Sequence, residues 1–414
     1  MGSGPGADSE EALPGGGGEV PVVEVGGAPG ELFDDALIHE IVITLDPEDW
    51  EYLQRNPADE EYETASVALG DARLDEVGLR FKGSWGSLFW CADGTLDCDK
   101  LNLKLDFHEY VDAQRFYGLK QVNLHAMEVD DSQMREHLAY RTWRAAGVPA
   151  SRTGWARVRV NGDDLGLYLL VEQVDGRFTK DRWGGDGNLY KEVWITEEQG
   201  STWKNALETN RSTGEPDRML AFGAALAEAD QDDFVAVLDE HSSSEALVRF
   251  LAAMDLTGSF DSIAAFYCSW SSCGNHNYFW YEGDEDIVLL PWDMDRHYAV
   301  PVWLFGDDHD VPLWHEPVED CTPMETFYGI EVMPPGCDPL LGLAGLTLKD
   351  RYDEVVVELR EGPADLDALN AEIDRLTELL AEEVASDALG PTVQEWEAGI
   401  TDLREDLVVL DGGR

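Results

Sequence analysis

The sequence predicts an α+β fold of two lobes, strand-rich in the first and helix-rich in the second, with a cleft between them. Three observations carry that expectation. Residues 37 to 172 hold short runs with a two-residue apolar period, the mark of half-buried strands. From about residue 200 the pattern changes to long, Ala-rich stretches at 216–229, 244–257, 349–360, 364–385 and 391–409. And 414 residues, 43% of them hydrophobic and 14 of them Trp, suffice for a sizeable core in each lobe. The expected divisions are a tether over 1–33, a strand-rich lobe over 34–195 and a helix-rich lobe over 196–414, with additional helices over 340–410.

The elements follow in order. Residues 1–33 are rich in Gly, Pro and acid with no apolar period, a flexible tether of the kind that spaces a domain from a lipid or wall anchor. Order begins at Leu37–Leu45, a strand, and Asp46-Pro47-Glu48 then starts a helix. Short strands follow at 67–69, 76–82 and 101–107. In the last, Leu101, Leu103, Leu105 and Phe107 alternate with Asn102, Lys104 and Asp106, so one face is core and the other carries Lys104. Asp130-Asp131-Ser132 caps a helix over about 133–146, closed by Gly147 and Pro149. Strands at 155–160 and 165–172 flank Asn161-Gly162, a strong hairpin signal. An island of strand-like and aromatic residues, 260–304, interrupts the later helices.

Charge excludes several functions. Against 85 Asp and Glu stand 29 Lys and Arg, a formal net charge of −56. Such a surface repels phosphate backbones and anionic bilayers, which excludes nucleic-acid binding over a broad basic face. No run of 18 apolar residues exists, so no transmembrane helix is expected. Six cysteines, at 91, 98, 268, 273, 321 and 337, form three sequence-local pairs; none has the Cys-x-x-Cys spacing of zinc sites, and the pattern points to disulfides and an oxidising compartment. Met1-Gly2-Ser3 leads into a polar tract with no signal peptide, so secretion implies a leader already removed.

Four places could carry chemistry. Arg80-Phe81-Lys82-Gly83-Ser84 is a strand end entering a Gly/Ser turn, suited to an anion or to an ordinary turn. Lys104 with Glu136 is either a solvated Lys on an open sheet face or an internal ion pair that presents the Lys to phosphate oxygens. Asp261 and Asn277 are placed as a base and a metal ligand would be, or as a turn Asp and a capping Asn. The strand Ile287–Pro291 delivers Asp293 and Asp295 to its end, two carboxylates suited to Mg²⁺ or Mn²⁺. About 17 acid-x-acid pairs are expected by chance in so acidic a chain, so position after a buried strand is what raises this one. His297 beside them reads as structural.

The order of these features resembles the spore-coat CotH kinase family. The resemblance rests on Arg80-Phe81-Lys82-Gly83, Lys100 to Leu105, Asp131 to Glu136, Val160-Asn161-Gly162 through Gly166 to Glu172, Asn188-Leu189-Tyr190-Lys191, His276-Asn277-Tyr278 and Pro291 to Asp295, and spans roughly residues 36–305. It implies a divergent protein-kinase-like fold that binds ATP between two lobes and phosphorylates protein hydroxyls. Carried over by residue, Lys104 is the ATP-phosphate lysine and Glu136 its helix partner. Lys82 lies where a glycine-rich loop would be, and Glu172 falls near the hinge. Asp261 orients the acceptor hydroxyl, and Asn277 and Asp293 hold the metal with support from Asp295. Cys268 to Cys273 are inserted between Asp261 and Asn277 and loosen that spacing.

The leading expectation is therefore a secreted or surface-tethered, metal-dependent kinase using ATP and Mg²⁺ or Mn²⁺ on Ser or Thr of a protein. Kinase-like folds also move AMP or glutamate, and a surface protein can use the fold for adhesion alone. A glycoside hydrolase with paired carboxylates among the Trp residues would make the ordered motifs a coincidence.

Overall fold

A computed structural model describes residues 22–83, 88, 100–259, 262–264, 267–269, 272–299, 314–315, 321–325 and 331–412. The fold is mixed α+β, and the chain partitions into two compact units. The first comprises Met1–His137, Ser151–Gln173 and Ile373–Thr401; the second comprises Leu138–Ala150, Val174–Glu372 and Asp402–Arg414.

Unit one is built on a closed seven-stranded barrel. Its strands are β1 (Ile38–Leu45), β2 (Glu63–Leu69), β3 (Ala72–Phe81), β4 (Leu103–Asp106), β5 (Gln121–His125), β6 (Thr153–Val160) and β7 (Asp163–Glu172), in the order β1-β2-β3-β4-β5-β7-β6. All neighbours are antiparallel except β1 and β6, whose parallel pairing, Ile38 opposite Trp155, closes the ring. Alternation fills the interior with Ile41, Ile43, Val67, Leu79, Leu103, Leu105, Val122, Leu124, Val158 and Leu170. Each such side chain contributes about 1.5–3 kcal/mol on leaving water.

Local signals fix several joints. Asp46 accepts a hydrogen bond from Glu48 N at 2.9 Å and starts helix α1 (Pro47–Arg55). Asn161 and Gly162 take φ of +53° and +93°, the two left-handed positions of a type I′ turn between β6 and β7. Asp130 is the main cap of helix α2 (Arg135–Ala145): its carboxylate accepts from Met134 N and Arg135 N, each at 2.8 Å, and Ser132 Oγ accepts from Met134 N at 3.3 Å. The expected strands at 67–69 and 76–82 prove longer and are joined through Gly70 with φ +56°.

Unit two is helical around a three-stranded antiparallel sheet. The sheet order is β8 (Asn188–Lys191), β9 (Tyr278–Glu282), β10 (Ile287–Pro291). Helices at Asp217–Glu228, Phe234–His241, Ser244–Leu256, Pro339–Thr347 and Lys349–Arg360 belong to it. Aromatic residues dominate its core, with Tyr190, Trp203, Phe222, Tyr278 and Trp280 all at 2% exposure or less. Cys321 and Cys337 form a disulfide, and Cys268 stands opposite Cys273 across a two-stranded ladder. Cys91 and Cys98 lie outside the described residues. None of the described helices is long and apolar enough to cross a membrane.

Candidate functional site: a cationic barrel face and an acidic strand-end cluster

The barrel's outer face is not an open, solvated surface near Lys104. Registers put Arg80, Lys104 and Asn123 directly opposite one another on β3, β4 and β5. Lys104 is only 8% exposed, and Asn123 and Asp106 are fully buried, which rules out the solvated reading of that lysine. Asp106 accepts from His108 N at 2.9 Å and from the Gln121 amide. Burial pushes the Asp106 carboxyl up, but the hydrogen bonds from His108 and the charge of Lys104 more than offset it and hold it below the ordinary range.

One rung away lies a chain of three polar side chains. Lys82 N donates to Asn102 O at 3.0 Å, extending the β3 ladder by one residue and turning Lys82 to the outer face. Its Nζ is 2.8 Å from His125 Nε2. The other ring nitrogen, Nδ1, is 2.9 Å from both carboxylate oxygens of Glu136, in the first turn of α2. His125 and Glu136 are each about 4% exposed. A lysine ammonium only donates, so Nε2 is the accepting nitrogen and Nδ1–H donates to Glu136. Sequence reading paired Glu136 with Lys104 and did not single out His125. The signal was present in Gln121-Val122-Asn123-Leu124-His125, which alternates strictly and turns 121, 123 and 125 to the polar face.

Glu172 ends β7 and is 1% exposed. Its Oε2 accepts from Arg152 N and Nε at 3.0 Å each, and its Oε1 from the Arg152 Nη2. Its carboxylate is thus held in a bidentate pair.

In unit two, three adjacent strand ends gather polar residues. Glu192 follows β8, Asn277 precedes β9, and Trp292-Asp293 follows β10. Trp292 N donates to Asn277 O at 3.0 Å, so Asn277 and Asp293 leave neighbouring strands side by side. Glu192 Oε1 accepts from Asn277 N at 3.1 Å and lies 3.2 Å from His276 Nδ1. Glu192, Asn277 and Asp293 all adopt positive φ, of 53°, 57° and 53°. A left-handed residue other than Gly costs roughly 1 kcal/mol, so three at one sheet edge mark a place where geometry is held against local preference. Asp295 follows in a turn, partly exposed. Glu192 was not foreseen from the sequence; it directly follows Asn188–Lys191.

His297 is structural, as its sequence context suggested. It is 4% exposed, with Nδ1 2.9 Å from Thr257 Oγ1, and burial pushes its pKa down to about 3. Asp261 lies outside the described residues.

Beside Glu192 opens a cleft of about 450 Å³, lined by Glu192, Trp194, Glu197, Glu198, Gln199 and Thr202 among others. Trp194 is fixed there by a 2.6 Å hydrogen bond from Nε1 to Asp338.

Known proteins resemble this chain as follows. It is 22% identical over 262 residues to the inner spore coat protein H of Bacillus subtilis (strain 168), covering 60% of this chain and 66% of that protein. The chain thus spans slightly less than two thirds of that relative's length. A chain of the solved Shewanella oneidensis MR-1 toxin–antitoxin complex of HipA, HipB and operator DNA aligns at 12% identity, over 89% of this chain and 79% of that one, with a TM-score of 0.36, too low to carry an argument. A family model described as CotH kinase protein matches residues 79–405. That match starts later than the resemblance read from motifs, within β3, and runs further, into the helices after residue 340. Its span is well over half of the sequence, and the chain belongs to the CotH kinase protein family.

Proposed function

We propose that this protein transfers the γ-phosphoryl group of ATP to a Ser or Thr hydroxyl of a protein, with Mg²⁺ or Mn²⁺ required. The observation that supports it best is the barrel face itself. In a chain of net charge −56, Lys82 and Lys104 are set on adjacent rungs, one of them coupled through His125 to a buried glutamate. Fixed local cations are what a strongly acidic protein needs to hold a polyphosphate, since its bulk field opposes binding.

The strand-end cluster supplies the complementary chemistry. The Asp293 carboxylate and the Asn277 side-chain oxygen are hard donors of the kind Mg²⁺ and Mn²⁺ take, and Asp295 supports them. A divalent cation bound there would offset negative charge on the phosphates. Among this chain's own groups, Lys82 and Lys104 bind and orient the phosphates, while Glu136 fixes the cation that faces them. Asp261, by the family resemblance, accepts the proton of the acceptor hydroxyl as the new O–P bond forms and the bond to the β-phosphate oxygen breaks, releasing ADP.

The Cys321–Cys337 disulfide supports action in an oxidising compartment outside the cytoplasm. The expected tether over 1–33 is shorter than its composition suggested, because Val23–Val25 pairs with Gln114–Phe116 and Leu32 and Phe33 are buried in the barrel core; the residues before Val23 are the proposed tether to a surface. The test is a melting curve with ATP and Mg²⁺ or Mn²⁺, followed by transfer of label. Stabilisation lost in Asp293→Ala, and label on protein from the γ- but not the α-phosphate, is the expected result. No shift with nucleotide and metal removes the enzyme reading, and α-label selects AMP transfer.

A further inference from the structure

We propose that His125 is a positioning residue that couples Glu136 to Lys82, so that Lys82 is a lysine the helix glutamate serves through an imidazole. The inference rests on the nucleotide-binding reading above for its consequence in ATP affinity, but its geometry stands without it. In protein kinases the corresponding coupling is a direct Lys–Glu ion pair. Here β5 carries His125 on the outer-face parity, one rung from Lys104, and α2 brings Glu136 onto its Nδ1. Lys82, just beyond β3, reaches Nε2 from the other side of the ring at 2.8 Å.

The ring's rigidity gives the device its character. An imidazole holds its two nitrogens on opposite edges, so a carboxylate on Nδ1 fixes both ring orientation and tautomer, and leaves the Nε2 lone pair aimed at one point. A lysine has a long flexible stem, and an acceptor fixed at 2.8 Å on a rigid ring narrows the positions its ammonium can take. The Nδ1–H donation to Glu136 also makes the ring a better acceptor at Nε2, as with carboxylate-backed histidines at metal centres. The neutral ring carries the influence of the Glu136 charge to Lys82 without itself adding a cation.

Two measurements decide the matter. Selective ¹⁵N labelling of the nine histidines should show one ring protonated at Nδ1 and not Nε2 at pH 7, absent in His125→Ala and shifted at Nε2 in Lys82→Met. An Nε2–H ring or an imidazolium at that position overturns the proposal whatever nucleotide does. The second is a double-mutant cycle on the ATP dissociation constant. Lys82→Met and Glu136→Gln should be non-additive by about tenfold with His125 present and additive in a His125→Ala background. His125→Gln, which keeps an acceptor near the Nε2 position, should recover part of the affinity, whereas a merely structural role predicts recovery of the melting temperature alone. Additivity in both backgrounds sinks the coupling. If the unmutated chain shows no ATP-dependent stabilisation, the kinase reading fails while the tautomer measurement still decides the geometry.

Discussion

Asp387 places its carboxylate 2.7 Å from the Lys100 ammonium, across 287 residues of sequence, and both side chains are at most 5% exposed. The same carboxylate accepts from Leu167 N at 2.9 Å, Leu389 N at 2.9 Å and Gly390 N at 3.0 Å. Lys100 also lies 5.0 Å from the centroid of the Tyr168 ring. This one residue therefore ties the end of helix Leu366–Ser386 to the β7 edge of the barrel within unit one. The C-terminal helices are part of the barrel's stability, which accords with a family match that reaches residue 405.

Asp387→Ala leaves an ammonium and three backbone donors without that acceptor. The expected loss is about 3–5 kcal/mol, the range for breaking a buried pair from one side. Lys100→Met with Asp387→Leu should recover part of it, because the buried charges then vanish together. Urea unfolding monitored by tryptophan fluorescence measures both; a loss under 1 kcal/mol for the single variant would mean the pair is not buried as described.

Asp106 gives a pH dependence with a defined sign. Its folded pKa is depressed, so its contribution to stability is present above the unfolded value near 3.9 and is lost as pH falls through the lower folded value. Asp106→Asn should cost about 1.5–3 kcal/mol at pH 7, the worth of hydrogen bonds to a charged group, and should flatten the acid limb below pH 4. Unfolding free energies at pH 7, 5 and 3 provide the check; parallel curves for the two proteins would refute the assignment.

Much of this was readable in one dimension, and the rest was not for identifiable reasons. The Leu101–Phe107 alternation gave β4 its two faces, and Asn161-Gly162 named its own turn, because both are local. Barrel closure was not, since β1 meets β6 over 100 residues later and no periodicity encodes that pairing. For the same reason spacing left Lys104 open between a solvated lysine and an internal ion pair: burial of a polar face depends on what covers it. Glu136 was found through its helix, but its hydrogen-bond partner His125 sits on a strand whose alternation alone does not name a contact. Asp293 was placed by the strand before it, while Glu192 joined the same cluster through Asn277, a neighbour 85 residues away at the start of β9.

Gly399 shows how tightly the last helix, Val393–Asp411, approaches the cap of α2. A Cβ there would stand 2.6 Å from Ser132 N and 2.7 Å from Asp131 C, and both are backbone. Trp396 on the same helix donates from Nε1 to Ser132 O at 2.9 Å. Gly399→Ala should therefore destabilise by about 1–3 kcal/mol, the cost of overpacking, although alanine is the better helix former. A neutral or stabilising result in thermal unfolding would show that the helix can shift away.

The strand-end cluster separates stability from function most sharply. Asp293 holds φ of +53°, a conformation that glycine adopts freely and aspartate adopts at a cost of roughly 1 kcal/mol. If the residue is kept for its carboxylate, Asp293→Gly should remove the stabilisation produced by ATP with Mg²⁺ or Mn²⁺, while in the ligand-free protein relief of about 1 kcal/mol of backbone strain offsets part of whatever the lost side chain contributed. Asn277→Gly, at φ +57°, should behave in the same direction with a smaller loss, since an amide is the weaker cation ligand. Melting curves with and without nucleotide and metal measure both quantities in one experiment. A variant that keeps its full ligand-induced shift would assign the strained backbone to folding and not to a bound cation.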